Sequence, residues 1–328
     1  MQPIVLSSTF AQEEPGKPKR FEYSRSGNPT REALENCLAA LEGGRFGFAF
    51  GSGSAATLTL LHTLRPGDHV VSGDDVYGGT FRLFDKVLKP MGIETTFLDM
   101  RDVSRIERAI TDKTRLIWLE TPTNPLLKLF DIRKIGALAA ARGLPLVVDN
   151  TFASPVLQRP LELGATVVMH STTKYINGHS DVVGGALVTS DEALAERIRF
   201  LQNAIGAIPS PMDCYLVLRG LKTLPVRMRQ HVKSASDLAH RLVAAKGVRV
   251  VHYPGLASHP DHALCQAQMA GGGGMISLEL EGGVDESRRF LSALRIFTLA
   301  ESLGGVESLA EHPAIMTHAS IPAEVRRA

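Results

Sequence analysis

The chain has little with which to crosslink itself and no surplus of charge to hold a polyanion. Its three cysteines, Cys37, Cys214 and Cys265, are far apart and odd in number. That argues against a disulfide framework and for reduced thiols in a cytoplasmic protein. None has a second Cys or a His at zinc spacing, so no metal is expected. His259-Pro260-Asp261-His262 could be drawn as a metal turn, but a Pro after His marks a surface bend. Lys and Arg number 36 against 34 Asp and Glu, a net charge of +2. With no basic face, neither nucleic acid nor an anionic membrane is an expected partner. No run approaches the roughly 18 apolar residues of a spanning helix. The first ten residues lack the charged and apolar regions of a secretory signal. No internal repeat is visible.

What is present is a 328-residue chain, long enough to bury a large core and divide into one big and one smaller domain. Short apolar runs at 46–50, 69–72, 94–98, 115–119, 146–148, 166–169 and 185–188 read as strands. Helical patterns at 54–64, 80–91, 103–110, 132–142 and 194–204 fall between or after them. This alternation predicts an α/β fold, a mostly parallel sheet with helices on both faces. Ligands of such sheets bind beyond the carboxyl ends of the strands. Residues 211–246 form one helical tract with a break expected near Pro225. The remainder reads as a smaller α+β region, with the glycine run at 271–274 as a flexible turn. Residues 1–30 show no core pattern and form an arm. The domain boundaries expected are thus 1–30, 31–225 and 226–328.

Three stretches at strand ends carry chemistry. Gly51-Ser52-Gly53-Ser54-Ala55-Ala56 follows a strand and opens a helix, where outward N–H groups favour a phosphate. The same G-x-G-x-x-A permits a dinucleotide, with Asp74 or Asp75 at the spacing of a ribose-binding acid. A tight turn without ligand would look alike. Lys174, in Ser171-Thr172-Thr173-Lys174-Tyr175, follows one buried strand, and Asp149 ends another. Such a pair can serve pyridoxal phosphate, the lysine holding its aldehyde as a Schiff base and the acid pairing with its ring nitrogen. Ser171-x-x-Lys174 equally matches the nucleophile motif of penicillin-recognising acyl enzymes, although His179-Ser180-Asp181 and Lys222-Thr223-Leu224 do not supply their other motifs. A lysine after a strand is also a common solvated turn residue, and Asp149 could cap the next helix. Tyr77 could stack on a ring or belong to the core. Glu120-Thr121-Pro122-Thr123-Asn124-Pro125 is a polar loop stiffened by two prolines.

Taken together, the stretches 23–31, 74–80, 120–125, 147–152, 171–181 and 298–305 resemble the trans-sulfuration enzymes of cysteine and methionine metabolism, a fold-type I pyridoxal phosphate family. Within it, 200–203 and 211–215 are most similar to the cystathionine γ-lyases, with the γ-synthases close behind. The resemblance implies γ-elimination of L-cystathionine to cysteine, 2-oxobutyrate and ammonia, or, on the synthase alternative, γ-replacement on activated homoserine. It implies that Lys174 holds the cofactor, Asp149 pairs with its ring nitrogen and Tyr77 stacks on the ring beside the chemistry. Gly53 and Ser54 would hold the phosphate through their amides, helped by Ser171 and Thr173, and Asn124 would meet the ring hydroxyl. Tyr23 and Arg25 would reach the phosphate of a neighbouring subunit, which implies a homodimer at least and usually a homotetramer. Glu120, Arg82 and Ser302 would shape the substrate region, and Glu301 would meet the distal amino group. Methionine γ-lyases carry a cysteine where this chain has Gly79, which counts against methionine as substrate.

The resemblance also has departures. Family members begin earlier and continue several dozen residues past Ala328, through a strand whose arginine binds the substrate α-carboxylate. Neither Arg326 nor Arg327 is assigned to that role. Without it the substrate would lose a bidentate contact of about 1.5–3 kcal/mol, and the smaller domain would expose a sheet edge. A partial sequence or a truncated relative with little activity is therefore expected. Two rivals stay open: a dinucleotide oxidoreductase, and a non-catalytic cofactor-binding or assembly protein.

Overall fold

Period-two alternation of apolar side chains explains the architecture. In the 46–50 run, Phe48 and Phe50 pack on one side and Ala49 on the other. Val167 and Met169 likewise oppose Val168, and Val147 opposes Leu146 and Val148. A strand with both faces apolar must be covered on both. The structure, a computed structural model, describes residues 2–317; Arg326 and Arg327 lie outside them. After a short hairpin, β1 (Gln12–Glu14) and β2 (Lys17–Pro18), come β3 (Phe46–Phe50), β4 (His69–Gly73), β5 (Glu94–Leu98), β6 (Thr114–Glu120), β7 (Leu146–Asp149), β8 (Val167–Ser171) and β9 (Gly185–Thr189). These seven form one sheet in the order β3-β9-β8-β7-β6-β4-β5. β8, β7, β6, β4 and β5 pair in parallel, while β9 runs antiparallel to both β3 and β8. The mostly parallel sheet expected from the sequence is found, each strand within two residues of its expected ends.

Helices cover it as the alternation requires. α1 (Pro29–Glu42) is capped by Asn28, whose side chain accepts from the amides of Thr30 and Arg31. α2 (Gly53–Leu61) packs on the Phe48 face, and α1 with Leu34 and Leu38 on the Ala49 face. The helix expected over 80–91 is instead α3 (Gly78–Arg82) followed by a wider π turn, Leu83–Leu88, and a 3-10 turn, Lys89–Met91. Pro90, with no N–H to give and a ring that crowds the carbonyl four residues back, coincides with that change. α4 (Val103–Ala109), α5 (Ile132–Ala141), α6 (Ser154–Leu157) and α7 (Glu192–Ile205) follow. The long tract divides into α8 (Pro211–Leu221) and α9 (Leu224–Val243). Pro225 lies in the first turn of α9, where its missing N–H costs nothing, so the break precedes it.

The rest comprises an antiparallel pair, β10 (Val248–His252) and β11 (Ser277–Leu280), with α10 (His262–Gln268) between them and α11 (Val284–Ala293) after. β12 (Thr298–Leu299) and β13 (Leu309–Ala310) form a short parallel pair. The glycine run is not an open turn. A Cβ on Gly274 would lie 2.6 Å from the Tyr175 hydroxyl, and one on Gly272 2.6 Å from the Gly255 nitrogen. Those glycines permit close approach rather than mobility. Among the described residues no helix is long and apolar enough to cross a membrane.

Candidate active site

Three neighbouring parallel strands end together in functional side chains. Glu120 closes β6, Asp149 closes β7 and Ser171 closes β8. Register sets Glu120 beside Asp149, and Asp149 beside Met169. With the start of α2, the 77–80 turn and the 301–303 loop, these ends enclose a cavity of about 270 Å³. It is the place, beyond the carboxyl ends, that a parallel sheet offers a ligand.

Gly53 lets α2 begin close against β8. A Cβ there would sit 3.0 Å from the Cβ of Ser171 and 3.2 Å from its Cα. Ser52 caps the helix by accepting from the Ala55 amide at 3.0 Å. The amides of Gly53 and Ser54 have no partner among the described residues. Two unpartnered donors at a helix start, beside a gap kept open by a missing Cβ, suit a phosphate. Thr173 also lines the cavity, but its hydroxyl donates to the Gly184 carbonyl at 3.2 Å and accepts from the Gly184 amide at 3.0 Å.

Lys174 projects into the same space. Its Nζ donates to Ser302 Oγ at 2.7 Å. Burial pushes its amine below the usual lysine range, while the carboxylates of Glu311 and Glu301 work against that fall. Asp149 is buried, and its Oδ1 accepts from the Thr151 hydroxyl at 2.5 Å and amide at 3.0 Å. Its other oxygen accepts nothing among the described residues. Burial lifts the Asp149 carboxyl, against the Thr151 hydrogen bonds and the nearby His170. Glu120 is pushed well up, first by burial and then by Asp149 beside it. A cation set between two such acids would relieve both, as a protonated ring nitrogen would.

Glu120 also accepts the Tyr77 amide at 2.9 Å, fixing the start of the turn that carries the tyrosine. Tyr77 is 44% exposed, so it is no core residue. Asn124, Glu301 and Ser302 line the cavity too. Three other expected residues are not among the described residues that line it, and two of these, Tyr23 and Arg25, are expected at a neighbouring subunit's site. Arg82 lies in the last turn of α3, two residues beyond Thr80, which does line the cavity. Tyr23 and Arg25 lie on the exposed arm, with the Arg25 guanidinium 5.6 Å from the Tyr23 ring centre and 2.7 Å from the Asn203 carbonyl.

Sequence reasoning missed Thr151, Thr57, Met169 and Glu311, all of which line the cavity. Thr151 had a local signal, since an Asp followed two residues later by a hydroxyl forms such a turn. Thr57 follows Gly53 by one helical turn. Glu311 had none. The competing readings lose their supports. Asp75 accepts from the Thr123 hydroxyl and the Leu126 amide, and Asp74 pairs with Lys128 at 3.2 Å, so both acids tie loops together. Asp149 caps no helix, because α6 starts only at Ser154. In the 259–262 turn, Asp261 accepts the Leu129 amide and His262 meets the Pro254 carbonyl.

Lysine, acid and phosphate cradle on such a sheet fit an enzyme that works through pyridoxal phosphate. Over residues 1–328 the chain matches the family of Cys/Met metabolism PLP-dependent enzymes, and it belongs to that family. Its cofactor is accordingly pyridoxal phosphate and its substrate class amino acids. It is 54% identical to a cystathionine beta-lyase of Coxiella burnetii, over 100% of this chain and 85% of that one. Identity to a cystathionine gamma-synthase of Mycobacterium tuberculosis is 56%, over 97% of this chain and 82% of that one. The crystal structure of a cystathionine gamma-lyase from Lactobacillus plantarum, complexed with L-serine, superposes with a TM-score of 0.97 at 50% identity, covering 99% of this chain and 85% of that one.

Proposed function

We propose that the protein cleaves the Cγ–S bond of L-cystathionine, releasing cysteine and, after hydrolysis, 2-oxobutyrate and ammonia. The observation that carries this reading is the acidic wall beside Lys174. Glu301 lines the cavity and acts electrostatically on the lysine amine. A carboxylate there suits a substrate with a second ammonium at its far end, as cystathionine has. An apolar distal group would leave it unpaired.

Pyridoxal phosphate, when bound, supplies a conjugated ring that takes up the electron pair left on the substrate. Lys174 holds the cofactor and, once displaced by the substrate amine, takes the Cα proton and carries it onward. Its lowered affinity for protons is the direction a base at neutral pH needs. Asp149 keeps a proton on the ring nitrogen. The Gly53 and Ser54 amides and Ser171 hold the phosphate, assisted by Thr173 if its hydroxyl turns from Gly184. Tyr77 covers the ring face, and Asn124 meets the ring hydroxyl. Glu120 and Ser302 position Tyr77 and Lys174, and Arg82 borders the substrate region. Tyr23 and Arg25 serve the phosphate of a second copy, so the active unit is a dimer and the assembly a pair of dimers.

The named relatives divide among β-lyase, γ-lyase and γ-synthase at nearly equal identity, which keeps γ-replacement on activated homoserine as the second reading. One assay separates them. The enzyme is supplied with cystathionine alone, then with cysteine plus activated homoserine, and 2-oxobutyrate, pyruvate and new thioether are measured. 2-Oxobutyrate from cystathionine is expected. Pyruvate with homocysteine, or net thioether synthesis without breakdown, would overturn the reading.

A further inference from the structure

A second, largely buried polar cluster adjoins the cavity and has no part in the chemistry above. Glu42, the last residue of α1, is 1% exposed. A helix C-terminus disfavours a carboxylate, and a dry interior disfavours it more. Its Oε1 accepts from Asn150 Nδ2 at 3.0 Å and lies 2.5 Å from Nε2 of the equally buried His170. The Asn150 amide cannot be turned round, since its Nδ2 also donates to the Gln158 carbonyl at 2.8 Å. Oε1 is therefore an acceptor, and His170 is the donor that faces it. The other oxygen of Glu42 and Nδ1 of His170 are buried without a hydrogen-bond partner among the described residues, so the two side chains are tied to each other through Oε1 and Nε2 alone.

The cluster extends along the strand ends. Gln158 Nε2 donates to Asn150 Oδ1 and to the Thr121 carbonyl, both at 3.0 Å, and Gln268 donates to Gln158 Oε1 at 3.0 Å. Thr121, Asn150 and His170 are the chain neighbours of Glu120, Asp149 and Ser171. One network thus grips β6, β7 and β8 next to the side chains that face the cavity. His170 also acts on Asp149, its charge opposing the effect of burial there. A buried ion pair is rarely worth more than apolar residues of its own volume, so packing alone does not account for this one.

We infer that Glu42 and His170 are positioning residues for the cofactor: the pair fixes the ends of β7 and β8 and supplies the cation that favours Asp149 as the anionic partner of the ring nitrogen. The inference rests on the proposed role of Asp149. It is tested on the apoenzyme, titrated with pyridoxal phosphate and with its carbocyclic analogue, in which CH replaces the ring nitrogen. Both ligands engage the phosphate cradle and Lys174, and only the first can pair with Asp149. The parent should prefer pyridoxal phosphate roughly tenfold or more, as a charge-assisted hydrogen bond implies. In Glu42→Gln, which keeps an acceptor for Asn150 but removes the charge, that preference should shrink to about threefold or less, with affinity for the analogue little changed. The double variant Glu42→Gln/His170→Gln buries no unpaired charge and should show the same loss should the single variant fold poorly. A folded variant that keeps the parent's preference, or weakens both ligands equally, overturns the inference alone. A parent without preference overturns the Asp149 assignment and this inference with it.

Discussion

Replacing Asp149 by Asn should act in opposite directions on the cofactor complex and on the apoenzyme. Asp149 and Glu120 are register neighbours, 6% and 4% exposed. Burial is the leading cause of the rise in each carboxyl, and for Glu120 the charge of Asp149 comes next. An acid with a raised pKa binds its proton more readily folded than unfolded, so stability falls as pH climbs. The decline starts near the ordinary values, 3.8 for Asp149 and 4.5 for Glu120, and continues up through their raised values. Asn cannot ionise, and its carbonyl oxygen can still accept from Thr151. Apo Asp149→Asn should therefore unfold no more easily than the parent above this range, and its stability should fall less steeply with pH.

The cofactor sees the reverse. Asn removes a charge-assisted contact worth about 1.5–3 kcal/mol, so pyridoxal phosphate should bind roughly 10- to 150-fold more weakly. Turnover should fall as well, because the ring nitrogen loses the anion that keeps it protonated. Thermal unfolding of both apoenzymes across a pH series tests the first half, and equilibrium titration with the cofactor tests the second. An apo variant with a lower midpoint than the parent at neutral pH would refute the like-charge reasoning. Cofactor affinity within about threefold of the parent would refute the pairing with the ring nitrogen.

Other substitutions probe the remaining walls of the cavity. Gly53→Ala inserts a methyl 3.2 Å from the Ser171 Cα, which is backbone and cannot turn aside; overpacking of about 1–3 kcal/mol should weaken both the cofactor and inorganic phosphate as its competitor, measured by displacement. Glu301→Gln should raise KM for cystathionine about three- to tenfold, the modest size reflecting an exposed carboxylate, with kcat nearly kept; an equal loss on a homoserine ester lacking the distal ammonium would contradict its role. Arg25→Ala and Lys174→Ala should each be inactive alone, yet regain activity when unfolded together and refolded, since a mixed dimer joins an intact arm to an intact lysine. Failure of that mixture, with mixed dimers demonstrated by mass, would mean that Arg25 serves its own chain, where it already meets Asn203.

Legibility of the site followed the distance in sequence between cause and effect. Asp149 and Ser171 end their apolar runs, Lys174 follows three residues later, and Gly53 follows an apolar run to begin a helix. Their positions thus come from periodicity alone. The neighbour of β3 carried no such signal, because antiparallel pairing with β9 joins residues such as Phe46 and Thr189. Glu311 reaches the cavity from beyond β13, and nothing in its own surroundings marks it as facing Lys174. The 271–274 glycines were misread for a related reason. Glycine serves mobility and close approach alike, and the groups that decide between them, Tyr175 and Gly255, are remote in sequence.

Lys174 illustrates how non-local contacts resolve a short motif. Ser171-x-x-Lys174 was compatible with a solvated turn, an acyl enzyme or a cofactor lysine. A solvated turn would leave the amine unperturbed in water, yet burial lowers its proton affinity. An acyl enzyme would direct the amine at the Ser171 hydroxyl, whereas it donates to Ser302. The same loop closes on the lysine backbone. Gly304, at φ +79°, approaches so closely that a Cβ would lie 2.5 Å from the Tyr175 nitrogen and 2.8 Å from the Lys174 carbonyl carbon. The 302–304 loop therefore fixes the lysine at both ends, its backbone through Gly304 and its amine through Ser302. A base that must take a proton from one carbon and deliver it onward needs that restraint, because the rate depends on holding the reacting atoms in line.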